Sequence, residues 1–354
     1  MIITRTPFRI SFFGGGTDYP GWYLKHGGAV LSTSIDKYCY ITLRHLPPFF
    51  EHNLRVVYSV VETCRTIDEI QHPAVREALR FLKCDKSLEI HHDGDLPARS
   101  GMGSSSSFTV GLLNALYALQ GRMVSQRRLL AESIHIEQNL IGETVGSQDQ
   151  AAAAYGGLNH ILFKQDGHIS VRPVIISPGR RQLLSDHLML FYTGIRRYAS
   201  EVASTYVPTI CDREKQLFRM AEMVNEGLEI LADGDLDDFG HLLHQAWEQK
   251  RALSKSISNT TVDALYDKAR KAGALGGKLT GAGGGGFLLL FVLPDRQLDV
   301  RKALQNLLHI PFSFESDGSQ IILYDPRICD YRELEADNNP SEIACFRELN
   351  PGDS

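Results

Sequence analysis

The apolar residues of this chain change period along its length. In the first half they alternate with polar ones or gather in short blocks bounded by Gly, Pro and Asp, as strands do. Residues 2–6 and 8–13 read as strand on either side of Pro7, which cannot donate to a ladder and so predicts a sheet edge or a bulge. Residues 29–43 and 54–61 are β-rich, and 87–92 alternates. Phe108, Leu112, Ala115 and Leu119 then recur at helical spacing, with Gly121 placed to end the helix, and a second helix is predicted over 125 to about 139. Strands at 158–163 and 187–192 precede a long helical stretch, at 212–231, 236–254 and 261–272. A strand, a glycine loop and the apolar run FLLLFVL at 287–293 follow, then a helix near 299–308 and two closing strands.

This order of elements divides the chain. At 354 residues it exceeds what one core usually supports, and the change of pattern places a boundary near Ser185. The expected units are 1–185, 186–325 and a polar extension, 326–354. The net charge of -5 gives no support to nucleic-acid binding, and no apolar run approaches membrane-spanning length. Six cysteines are spread singly, which argues against a zinc or redox pair. With no secretory leader pattern at the N-terminus, the expectation is a cytoplasmic protein.

Three distant segments put bare backbone beside hydroxyls or charges. RISFFGGGTDYP (9–20) interrupts a strand with Gly14, Gly15 and Gly16, then offers Thr17 and Asp18. LPARSGMGSSSSF (96–108) opens a helix behind Gly101 and Gly103 with Ser104, Ser105, Ser106 and Ser107. A helix N-terminus favours phosphate, although one serine could simply cap it. KLTGAGGGG (278–286) lies between apolar strands and reads as a loop shaped around a ligand or another loop. Glu137 falls on an apolar helix face and needs a partner such as magnesium, unless it reaches solvent. Asp149 is either a first-turn helix acid or a proton acceptor. Arg196 and Arg197 could hold an anionic substrate, Arg180 and Arg181 read as a loop tip, and His241 with His244 lacks a third ligand for a metal.

The three segments, in this order and with GSQDQ (146–150) between the second and third, resemble the GHMP kinase superfamily, named for galactokinase, homoserine kinase, mevalonate kinase and phosphomevalonate kinase. The resemblance spans about residues 5–324. It implies an α+β fold of two domains, an N-terminal ribosomal-protein-like α/β domain and a C-terminal ferredoxin-like α+β domain, with the active site in the cleft between them. It also implies ATP and Mg²⁺ as cofactors. Gly101, Gly103, Ser104, Ser105, Ser106 and Ser107 would wrap the ATP phosphates, while Ser105 and Glu137 would hold magnesium. Asp149 matches the family's catalytic aspartate, and Arg9 the basic residue paired with it. Asp18 matches an acid that binds sugar hydroxyls, beside Gly15, Gly16 and Thr17. Thr280, Gly281 and Gly283 would close over the phosphate loop and substrate.

The family's galactokinases carry a glutamate and a histidine where this chain has Gly15 and Gly16. The FGGGTDYP form instead resembles the bacterial kinases of D-glycero-D-manno-heptose 7-phosphate, which form the 1,7-bisphosphate, and the kinase part of fucokinases. The expected function is therefore phosphorylation of the anomeric hydroxyl of a sugar phosphate, with an L-fucose or other free-sugar 1-kinase as the alternative. A non-catalytic sugar- and ATP-binding regulator is the reading from another class. The expected partner is a small-molecule sugar or sugar phosphate, with neither nucleic acid nor membrane, and a homodimer is one option for assembly.

Overall fold

The computed structural model describes residues 1–98, 100–195, 199–205 and 207–325. Arg196, Arg197 and the extension 326–354 therefore lie outside the described residues. The chain opens with β1 (Ile2–Phe13), α1 (Pro20–His26) and the 18-residue β2 (Gly28–His45). β1 is one strand where two were expected. Its register against β2 slips between Pro7 and Phe8, so a bulge absorbs the residue that has no N–H. Residues 54–61 likewise differ from expectation, because a turn splits them into β3 (Leu54–Val57) and the start of β4 (Val61–Cys64).

Next come α2 (Pro73–Phe81), β5 (Leu88–Gly94), α3 (Ser104–Leu119) and α4 (Gln126–Ile134). α4 runs on through wider π turns at His135–Leu140, and α5 (Gln148–Tyr155), β6 (Leu158–Phe163) and β7 (Ile169–Pro173) follow. The later chain supplies α6 (Pro178–Asp186), β8 (Leu188–Tyr192), α7 (Ala199–Ser204), α8 (Glu214–Asp233), α9 (Leu236–Arg251) and α10 (Thr260–Lys271). It ends with β9 (Ala274–Leu279), β10 (Phe287–Val292), α11 (Gln297–Ala303), β11 (Leu308–Ile310), β12 (Phe314–Glu315) and β13 (Gln320–Tyr324).

Among the described residues these strands form two sheets. One runs β13-β1-β2-β5-β3-β4, with β12 and β6 also paired to β2 and β7 to β6; the other runs β11-β8-β10-β9. The expected unit 186–325 is corrected here, since β12 and β13 leave the second half to pair with β2 and β1 in the first sheet. Period-2 apolar spacing marks such strands without naming their partners.

α9 bridges the two sheets through aromatic packing, Phe239 meeting Phe291 of β10 on one side and the end of β1 on the other. Phe239 of α9 lies edge-on to Phe12 and Phe13, with ring centroids 5.3 and 4.9 Å away. α9 also presses on β9 without intervening side chains: a Cβ on Gly276 would stand 1.9 Å from the Gly240 carbonyl oxygen. Arg180 caps the far end of α8 by donating to the carbonyls of Ile230, Leu231 and Gly234, a tertiary contact rather than the loop-tip position expected of it. These contacts fix α9 against β1, and with it the walls of the cleft between them.

Candidate active site

A cleft of about 920 Å³ is walled by β1, the start of α3, the segment before α5, the end of α9 and the loop between β9 and β10. Successive side chains of a strand point to opposite faces, so Arg9 and Ser11 reach this cleft together while Phe8, Ile10 and Phe12 enter the core. Arg9 is 4% exposed and holds Asp149 with two parallel hydrogen bonds, Nε to Oδ1 and Nη2 to Oδ2, both 2.7 Å. Its remaining nitrogen, Nη1, donates to the Gly101 carbonyl at 2.7 Å. A guanidinium fork thus ties the acid at the start of α5 to the glycine loop before α3.

Asp18 is buried and accepts from the backbone N–H groups of Gly16 (2.9 Å) and Gln148 (3.3 Å). Burial, with a contribution from Asp149, pushes its carboxyl above the usual range despite those bonds. Gly146 makes this contact sterically feasible, for a Cβ there would stand 1.9 Å from the Asp18 carboxylate. A Cβ on Gly15 would make only ordinary van der Waals contact, with Gln148 Nε2 at 3.7 Å and Ser11 Oγ at 3.8 Å. Gly16 is different: its φ of +108° requires glycine, and a side chain would press Leu217. Ser11 Oγ and Gln148 Oε1 are buried and make no hydrogen bond.

The helix start is not capped by serine. Gly103, in the left-handed region at φ +75°, occupies the capping position, and no side-chain cap accepts from the N–H groups of the first turn of α3. Only Ser104 and Ser105 of the four serines line the cleft. This corrects two of the expected phosphate contacts by side chain: Ser107 Oγ donates to the Pro7 carbonyl, and Ser106 Oγ donates to Glu137 Oε2 at 2.9 Å. A helix turns successive residues by about 100°, so four in a row cannot share a face.

Thr17 is also corrected as a ligand residue, because its hydroxyl is buried between the carbonyls of Gly14 and Ala29 and lies outside the cleft wall. Thr280 is likewise turned inward, to the Phe287 carbonyl, and Gly283 packs on Ile257; of that loop Gly281 reaches the cleft. The glycines of this loop let it lie against the one before α3. A Cβ on Gly281 would stand 2.5 Å from Gly101 Cα, and one on Gly286 would stand 2.1 Å from the Ser100 carbonyl oxygen.

Glu137 is 1% exposed; Ser106 and Gln150 (2.5 Å) donate to Oε2, while Oε1 is buried without a hydrogen bond. Burial pushes its pKa up to about 7, against hydrogen bonds that favour the anion. A carboxyl raised in this way contributes most to stability below its unfolded pKa of about 4.3, and that contribution is lost as pH rises toward 7. Glu137→Gln is therefore expected to raise the thermal midpoint of the ligand-free protein at pH 8 but not at pH 5. Parallel midpoint curves for variant and parent across that range would contradict the assignment.

Two lysines escaped the sequence reading. Lys250, in the last turn of α9, and Lys278, in β9, are both buried and both line the cleft. Lys250 Nζ donates to the Gly281 carbonyl, and Lys278 Nζ to that of Phe12 at 2.9 Å. Burial and neighbouring cations lower the pKa of Lys250 to about 7 and that of Lys278 well below its ordinary value. In sequence, a lysine ending a helix is indistinguishable from a partner of the helix dipole. The far end of the cleft is aromatic, with His72 stacked on Phe108 at 4.6 Å. His244, by contrast, bonds Tyr266, and no group of three or more metal-ligating side chains occurs among the described residues. No helix among them is long and apolar enough to cross a membrane.

Comparison with known proteins matches two family models, "GHMP kinases N terminal domain" over residues 67–157 and "GHMP kinases C terminal" over 227–310. The D-glycero-alpha-D-manno-heptose 7-phosphate kinase of Campylobacter jejuni is 28% identical over 336 residues, covering 90% of this chain and 97% of that one. The L-fucokinase/L-fucose-1-P guanylyltransferase of Bacteroides fragilis is 28% identical over 349 residues, covering 84% of this chain and 35% of that longer protein. In fold, the chain superimposes on a D-glycero-D-manno-heptose 1-phosphate kinase from Bacteroides thetaiotaomicron with a TM-score of 0.75 at 23% identity, covering 92% and 100% of the two chains.

Proposed function

Because the chain belongs to the GHMP kinase superfamily and is an ATP-dependent sugar kinase, we propose that its acceptor is a heptose 7-phosphate, phosphorylated at the anomeric hydroxyl to the 1,7-bisphosphate. The observation that carries this choice is the wall at Gly15. There the wall carries no side chain beside buried Asp18, and the unpartnered oxygens of Ser11 and Gln148 await hydroxyl donors. A long polyhydroxylated acceptor satisfies such atoms, whose desolvation is otherwise uncompensated. The likeness to the Campylobacter jejuni enzyme points the same way.

In this reading Asp149 orients the acceptor hydroxyl and takes its proton, while Arg9 holds the carboxylate in place with its two parallel hydrogen bonds and faces the phosphoryl group. The uncapped N–H groups of α3, with Ser104 and Ser105, hold the nucleotide phosphates, and Gly281 covers them. The aromatic end at His72 and Phe108 suits the base. Ser105 and Glu137 are the residues that would hold magnesium, and the unpartnered Oε1 of Glu137 fits that role, being a hard oxygen donor that is buried and makes no hydrogen bond. A bound magnesium ion supplies neutralisation of phosphate charge.

ADP release measured over heptose 7-phosphate, L-fucose, mannose and galactose tests the assignment. The heptose phosphate is expected to exceed the others in kcat/KM by at least about 100-fold, equivalent to roughly 3 kcal/mol of discrimination. Preference for free L-fucose, the reading favoured by the Bacteroides fragilis relative, would overturn it.

A further inference from the structure

We infer that Lys250 is a catalytic residue of this kinase, its ammonium contacting the phosphoryl group as it passes from nucleotide to acceptor. This assignment rests on the phosphoryl-transfer reading above and adds a second cation to the one that Arg9 supplies. Lys250 projects from α9 into the same cleft as Arg9, Asp18 and Asp149, although they come from other parts of the chain. An ammonium has three donors. The Gly281 carbonyl takes one, and among the described residues the ammonium has no other acceptor and no ion pair.

An unpaired buried cation is costly, so its retention needs a compensating charge. The groups facing Lys250 are Arg9 from β1, Asp18 from the loop after it, Asp149 from α5 and Lys278 from β9. Three basic side chains thus confront two acids, and Arg9 already engages one of these bidentately. A phosphoryl group entering this space restores the balance.

Arg9 and Lys250 are also arranged as counterparts. Each reaches one of the two glycine loops that lie against each other: Arg9 donates to the Gly101 carbonyl, Lys250 to that of Gly281. The transferring group must pass where those loops meet if they enclose the phosphates. Lys278 is the weaker candidate. Its ammonium donates to the Phe12 carbonyl in β1 rather than to either glycine loop, and the acid that acts on it is Asp18.

Burial holds the Lys250 pKa near 7 in the free protein, and nucleotide phosphates would raise it. If the protonated form is the active one, kcat/KM must fall as pH climbs through that value. Lys250→Met and Lys250→Arg, assayed with the full chain from pH 5.5 to 9.5, make the test. The Met variant is expected to lose about 10²–10³-fold in kcat, as for loss of one transition-state donor, with ATP affinity by calorimetry changed less than about threefold. Its thermal midpoint should be equal or higher, since an unpaired buried charge has gone. The Arg variant should recover at least tenfold of the loss and lack the alkaline fall, because a guanidinium does not titrate there.

A Met variant within threefold of the parent would overturn the assignment, as would an Arg variant that keeps the alkaline fall. Should the Met variant unfold, the pH profile of the Arg variant decides alone. Failure of the kinase reading looks different: the parent protein itself would release no ADP with any sugar in the screen, and the role of Lys250 would fall with it.

Discussion

Asp149→Asn is expected to lower kcat by about 10²–10⁴-fold, the range for loss of a positioned proton acceptor, while ATP affinity stays within a few-fold. The amide keeps the volume and can still accept one hydrogen bond from Arg9. It loses the charge that pairs with a guanidinium only 4% exposed. The uncapped start of α3 and its neighbouring serines, which we assign to the nucleotide phosphates, are untouched by the change. Breaking a fully buried pair costs about 3–5 kcal/mol, but Asp149 is 25% exposed, so the loss of stability should be well below that. A coupled ADP assay and calorimetry with ATP read the two effects separately. Turnover within tenfold of the parent would remove Asp149 from the chemistry.

The second large effect is expected at Gly101. Its φ of +81° lies where residues with a side chain are strained, and a Cβ would stand 2.6 Å from the Thr280 carbonyl oxygen. Gly101→Ala therefore has to distort its own backbone or push the β9–β10 loop away. Strain of this kind is worth about 1–3 kcal/mol, with the collision added to it. The Gly101 carbonyl is also an anchor of Arg9, so displacement should spread to the Asp149 pair. The expected result is a lower unfolding midpoint together with a fall of at least about 100-fold in kcat/KM, equivalent to roughly 3 kcal/mol. Gly121→Ala is the control, since it shares a positive φ but has nothing within 4 Å to meet. Equal losses in the two variants would mean that strain alone, and not contact between the loops, accounts for the effect.

How far the chain announces this structure depends on the range of the interaction. Local signals are legible: the periodic run through Phe108 and Leu112 gives α3, Gly121 ends it, and Pro7 forces the bulge in β1. Partners across long separations are not. β12 and β13 look like any closing strands, and their return to β2 and β1 follows from tertiary packing that period-2 spacing does not encode. The site divides in the same way. Arg9, Asp18, Glu137 and Asp149 stand out as charges beside glycines or on apolar faces, and the fold brings them to one cleft. Ser106, Ser107, Thr17 and Thr280 share the composition of ligand residues but are turned by their backbone toward internal carbonyls and Glu137. Lys250 gives the opposite error, an ordinary residue in sequence whose burial only the docking of α9 creates.

The glycines on the two sides of the cleft have unequal freedom to change. Where the loops before α3 and after β9 touch, backbone meets backbone within 2.1–2.7 Å of any added Cβ, and no substitution fits without moving a main chain. At Gly15 the nearest atoms are 3.7 and 3.8 Å away, and both belong to side chains. On the assignment proposed for this cleft, acceptor preference can therefore drift or be engineered from Gly15 one residue at a time, while the phosphate side is held fixed by its lack of side chains. A lineage built on this scaffold would diversify its sugars long before it altered its chemistry, and a designer seeking a new acceptor should begin at that residue.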